Sequence, residues 1–113
     1  MQDQTAAEEI KKQKEIQEKN DLAKKRIDAL YESFGGEEKF KEKNKDLDTW
    51  KETAKKELLS QDPKLASDPA LETKVLLLAL QTNQVQITKN AEGIPGYNSK
   101  ILFRDIESSL ADL

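Results

Sequence analysis

The chain has 113 residues, room for one domain, with 36% charged and 35% apolar residues and a net charge of −3; the charged share is high and the apolar share low for a globular protein. Histidine and cysteine are both missing, which removes the commonest general base, the commonest metal ligand and the thiol nucleophile. Acidic and basic side chains balance in both halves, so neither half is a polybasic arm or an acidic tail, and nucleic-acid binding by charge alone is disfavoured.

The first predicted element is a long charged helix. Thr5-Ala-Ala-Glu8 reads as a capping box, the hydroxyl accepting from the amide three residues on while the glutamate reaches back. Nothing breaks the pattern until Gly35-Gly36, where Gly35 fits the C′ position that closes a last turn in the left-handed conformation. The span is roughly 30 residues, or about 45 Å. One register places Ile16, Asn20, Ala23, Ile27, Leu30 and Phe34 on a heptad seam, with Asn20 at an inward position that fixes register. Upstream the seam fades into Glu9 and Gln13. Two readings follow: a solvated helix packed only in its last turns, or a partial coiled coil. In both, residues 1–34 stand as an oligomerisation or partner-binding segment, and 37–113 form a small helical domain.

That domain is expected to hold helices at about 37–45, 49–60, 69–83 and 99–112. Phe40, Leu47, Trp50, Ala54 and Leu58 fall at helical spacing, interrupted at Asn44–Asp48. Thr49-Trp-Lys-Glu52 is a second capping box, and Asp62-Pro63 ends that helix. Asp68-Pro69 reads as N-cap and first helical residue of the next one. Leu71, Val75 and Leu78 make its stripe, and Leu76, Leu77 and Leu80 widen it to most of the circumference, as in a helix that is buried or lies at an interface. Gln84-Val-Gln-Ile-Thr88 alternates like a short half-buried strand, followed by a turn-rich loop over Asn90–Gly96. Leu102, Phe103, Ile106, Leu110 and Leu113 line a final helix. The fold class is therefore mainly α, with at most one short strand or hairpin.

No motif for catalysis stands out. Asp46 and Asp48 sit among Lys43, Lys45 and Lys51, so they lack the desolvation that separates the pKa values of an acid/base pair. Asn44, Asp46, Asp48 and Glu52 alternate like oxygen ligands, without the glycine and twelfth-position glutamate of a Ca²⁺ loop. Gly35-Gly36 follows a helix, unlike a phosphate-cradling loop. The lysines of 11–26 are interleaved with carboxylates, the pattern of a solvated face. These features point to a non-enzymatic chain without metal or cofactor. Trp50 suits a core or an interface. If the first helix stands alone, residues 37–113 must fold as a domain below about 80 residues without disulfide or metal, which is marginal, so association that buries Ile27, Leu30, Phe34 and the leucine-rich helix would help it.

The run Leu30-Tyr-Glu-Ser-Phe-Gly-Gly-Glu-Glu-Lys-Phe40, then Trp50, Leu59-Ser60 and an apolar helix from Pro69, resembles the C-terminal part of capsid assembly (scaffolding) proteins of short-tailed phages. In those proteins a charged coiled segment precedes a Gly-Gly-Glu junction and a tryptophan-bearing helix. The resemblance implies transient, non-enzymatic assembly with a coat protein.

The longest apolar run, Val75–Leu80, is far short of the roughly 20 residues that span a bilayer. The start Met1-Gln2-Asp3-Gln4 has neither a cationic nor an apolar stretch. The expectation is a cytoplasmic protein that binds itself and another protein, and neither nucleic acid nor membrane. Ile16, Asn20, Ala23, Ile27, Leu30, Phe34 and Trp50 are its candidate interaction residues. A small inhibitor or regulator that blocks a protein partner is the alternative.

Overall fold

The computed structural model describes the backbone of residues 2–94 and 99–113 and the side chains of 8–94 and 101–113. Every regular element among them is helical: α1 (Gln2–Ser33), α2 (Glu37–Lys43), α3 (Leu47–Gln61), a 3-10 turn (Pro63–Ser67), α4 (Leu71–Thr82), α5 (Gln84–Asn90) and α6 (Ser99–Asp112). Helix α4 packs between α3 and α6, and α6 lies along α1.

Helix α1 ends as its glycines dictate. The Gly35 N–H donates to Glu32 O at 2.9 Å and the Gly36 N–H to Tyr31 O at 3.0 Å, the paired bonds of a Schellman close. Gly35 has φ +95°, a region costly for any residue with a Cβ. At the other end α1 begins at Gln2, above Thr5, so the expected capping box does not open it. The side chain of Thr5 lies outside the described residues.

The second half of α1 belongs to the main core. Ala23, Ile27, Leu30, Tyr31 and Phe34 cluster with Phe40 and Leu47, with Leu77 and Leu80 of α4, with Ile87, and with Phe103 and Ile106 of α6. Residues 23–34 and 37–113 therefore share one hydrophobic centre. A smaller cluster of Ala54, Leu71, Val75 and Ala79 joins α3 to α4. Half-buried Trp50 packs against both.

Two helix starts after α2 differ from expectation. Helix α3 starts at Leu47, because Leu47 is buried and draws the first turn onto the core. Thr49 is thus inside the helix, its carbonyl accepting from Thr53 Oγ1 at 3.1 Å. Helix α4 starts at Leu71, with Ala70 as its N-cap. Asp68 acts one turn earlier: its Oδ1 accepts from Ala70 N–H at 2.8 Å and its carbonyl from Leu71 N–H at 3.1 Å.

The largest correction concerns Gln84–Thr88, which is helical within α5. Two alternating apolar residues are too few to set a period. Val85 is 66% exposed while Ile87 is fully buried, and residues two apart on a helix also point nearly opposite ways. The decisive pair is Ile87 and Ala91, four apart and both buried. Asn83 sits between α4 and α5, its Nδ2 donating to Ala79 O at 2.8 Å. The expected loop loses its first residue to α5, and Pro95 and Gly96 lie outside the described residues.

The chain measures 60 × 29 × 21 Å with a radius of gyration of 16.1 Å, above the about 13 Å of a compact domain this long. Helix α1 accounts for the length. Residues 8–19 are exposed on every face, whereas 70, 71, 73, 75, 77, 79 and 80 are buried. Amide exchange should accordingly be fast over 8–15 and slowest over 71–80. Slower exchange in 8–15 than in 71–80 would mean that the arm is the packed element.

Candidate interaction surface

The expected seam has the right period, but the chain itself covers most of it. Ala23, Ile27, Leu30 and Phe34 are all at most 3% exposed and meet α2, α4 and α6, so they are closed to a second copy. Ile16 remains 44% exposed and Asn20 is half-buried. The seam therefore changes character at Asn20: below it the face is core, above it the face is surface.

The transition is held by Arg26, which sequence reasoning passed over. Its Nη1 donates to Asp105 O at 3.2 Å and to Ser109 Oγ at 2.6 Å, binding α1 to α6. Ser109 is buried, and a guanidinium fork suits two acceptors at once. The one available signal was an arginine in a stretch otherwise basic only through lysine. A second long-range tie was also unseen. Asn90 Nδ2 donates to Asn44 Oδ1 at 2.7 Å, and Asn44 Nδ2 donates to Phe40 O at 3.0 Å. Asn44 is 1% exposed, so both ends of its amide are engaged in closing α2 against α5.

Above the clamp, Gln13, Ile16, Gln17 and Asn20 form one wall of a groove of about 280 Å³ whose other wall is Pro69 and Ala70. The Asn20 Oδ1 atom is buried without a hydrogen-bond partner. On the far side of Ile16 a hollow of about 330 Å³ holds Lys12, Lys19, Asp68, Lys74 and Asp112. Asp68 Oδ2 and Lys74 Nζ are 2.6 Å apart, with side chains only 21% and 14% exposed. The hydrogen bond from Lys74 is the main reason that the Asp68 carboxyl lies below its ordinary value. Partial burial opposes it; the Ala70 N–H and the Lys74 charge add to it.

A carboxyl held low by the fold stabilises the folded state above the unfolded carboxylate range, at about pH 4. That contribution disappears as pH falls through the lowered folded value. Asp68→Asn should therefore lower the melting temperature at pH 7, and the gap to the parent should close as acid protonates Asp68. Thermal melts across pH 2–7 would check it; a gap that stays constant with pH would refute the linkage.

Two further features bear on chemistry. Burial first, then the charges of Glu37 and Asp28, push the Tyr31 phenol up to about 12. It is a neutral core ring, 4.8 Å from Phe40 centroid to centroid. A hollow of about 490 Å³ between α4, α5 and α6 is lined by Gln81, Val85, Phe103, Arg104 and Glu107 among others. Among the described residues no three carboxylates converge as metal ligands. Asp46 and Asp48 are both exposed. No described helix is long and apolar enough to cross a membrane.

Comparison with protein-family models, with curated proteins and with solved structures yields no match.

Proposed function

We propose that this chain is a non-enzymatic interaction and assembly protein whose working element is the exposed first half of α1. The observation that carries this reading is the contrast along one helix. Residues 23–34 are locked into the core, while residues 8–19 extend from it with Ile10 54% and Ile16 44% exposed. An extended helix with few apolar anchors gains little stability from propensity alone, so a surface that docks against it would stabilise it. Acidic and basic side chains alternate around it, which suits a protein partner better than a phosphate backbone. The resemblance of Leu30–Phe40 to phage scaffolding proteins points the same way, toward assembly with a coat protein.

The test is the mass in solution. Light scattering after size exclusion should give more than one chain per particle at tens of micromolar. A single-chain mass persisting to millimolar concentration would remove self-assembly from this reading.

A further inference from the structure

We infer that the occupant of the α1 surface is the same segment of a second copy, laid antiparallel across a two-fold axis between Gln17 and Glu18. This inference rests on the assembly reading above and names its contact. Gln13, Gln17 and Asn20 follow one another at spacings of four and three, so they share a face of α1. They form an uncharged polar stripe in a segment otherwise charged except for Ile10 and Ile16. Carboxamides both donate and accept hydrogen bonds, so a stripe of them is chemically self-complementary. The stripe borders the groove formed with Pro69 and Ala70, and Ile16 adds exposed apolar surface at its margin.

The charged edge of the stripe fixes direction and register. Lys14 and Asp21 are seven residues apart, two helical turns, and so lie on the same edge. Both are exposed. The Asp21 carboxylate is tethered beside the stripe, its Oδ1 accepting from Gln17 Nε2 at 3.0 Å. When two identical helices pair antiparallel, like edges meet in reversed order. An axis midway between residues 14 and 21 then sets Lys14 of each copy against Asp21 of the other, giving two ion pairs. A parallel arrangement puts identical residues at the same level and loses this complementarity. An isologous two-fold contact of this kind closes on itself as a dimer.

A charge swap tests the contact. Lys14→Asp and Asp21→Lys each convert two attractive pairs into repulsive ones, and the double swap restores attraction with the signs exchanged. Both positions are exposed, so circular dichroism should show unchanged helicity. Sedimentation equilibrium on the full chain should give a dimer whose Kd rises about tenfold in either single variant, in keeping with exposed pairs that are individually weak, and returns toward the parent value in the double variant. Added salt should shrink the differences. A parent that stays monomeric overturns both this contact and self-assembly. A dimer indifferent to the single reversals, or a double variant as weak as the singles, overturns this contact and leaves the assembly reading standing.

Discussion

Phe40→Ala should destabilise the fold by about 3–5 kcal/mol, the range for removing a fully buried aromatic ring. Phe40 is 0% exposed. Its ring lies 4.8 Å from Tyr31 in a tilted contact and 4.9 Å from Phe34 edge-on. Helix α2 is only seven residues long and Phe40 is its buried side chain. Truncation thus leaves a cavity and also removes the anchor that holds α2 to α1. A domain of this kind has about 5–15 kcal/mol in total, so the loss takes much of what there is. Urea unfolding followed by circular dichroism would measure it. A loss below about 1 kcal/mol would show that the ring is not packed as described.

Ile27→Asp should unfold the monomer rather than dissociate an oligomer. Ile27 is 3% exposed within the core, so an aspartate there would be a buried charge without a partner. Such groups cost about 3–5 kcal/mol where measured by breaking a buried pair, and here the lost apolar contact adds to it. Helicity should fall at every protein concentration, and the fall should not be reversed by concentrating the sample. A helical, cooperatively melting monomer would instead mean that Ile27 faces another chain. The same substitution thus separates an intrachain seam from an interchain one.

Much of the helical layout was legible because its signals are local. Gly35 and the heptad run mark the end and inner face of α1, and Asp62-Pro63 and Asp68-Pro69 punctuate the chain where α3 ends and α4 is prepared. The sequence also marked the leucine-rich helix as buried or interfacial, and burial of Leu71, Val75, Leu77 and Leu80 within the chain settles it as core. What covers the α1 seam was not legible. Ile27, Leu30 and Phe34 show that a partner face exists, and a heptad pattern reads alike whether that face is supplied by another chain or by α4 and α6 of the same one. The choice shows in Ile27, Leu30 and Phe34 meeting Leu77, Leu80, Phe103 and Ile106 and in Arg26 meeting Ser109 and Asp105, while Asn90 meeting Asn44 closes α2 against α5. These contacts span long stretches of sequence and leave no periodic trace. The α5 error has the opposite origin. Val85 and Ile87 gave a short, misleading local signal, and the informative spacing from Ile87 to Ala91 ran into what looked like loop.

Helix α1 contains neither glycine nor proline from Gln2 to Ser33, and so it has no built-in hinge where kinks usually arise. It is therefore a lever. A push on the exposed end is delivered to Arg26 and the buried rows beneath it, because there is no soft joint to absorb the deflection. A pull along the axis loads the α1–α6 contact in shear, so that its hydrogen bonds and packed side chains resist together. The stiffness that carries α1 past Pro69 and Ala70 also makes the core register any strain placed on its exposed end.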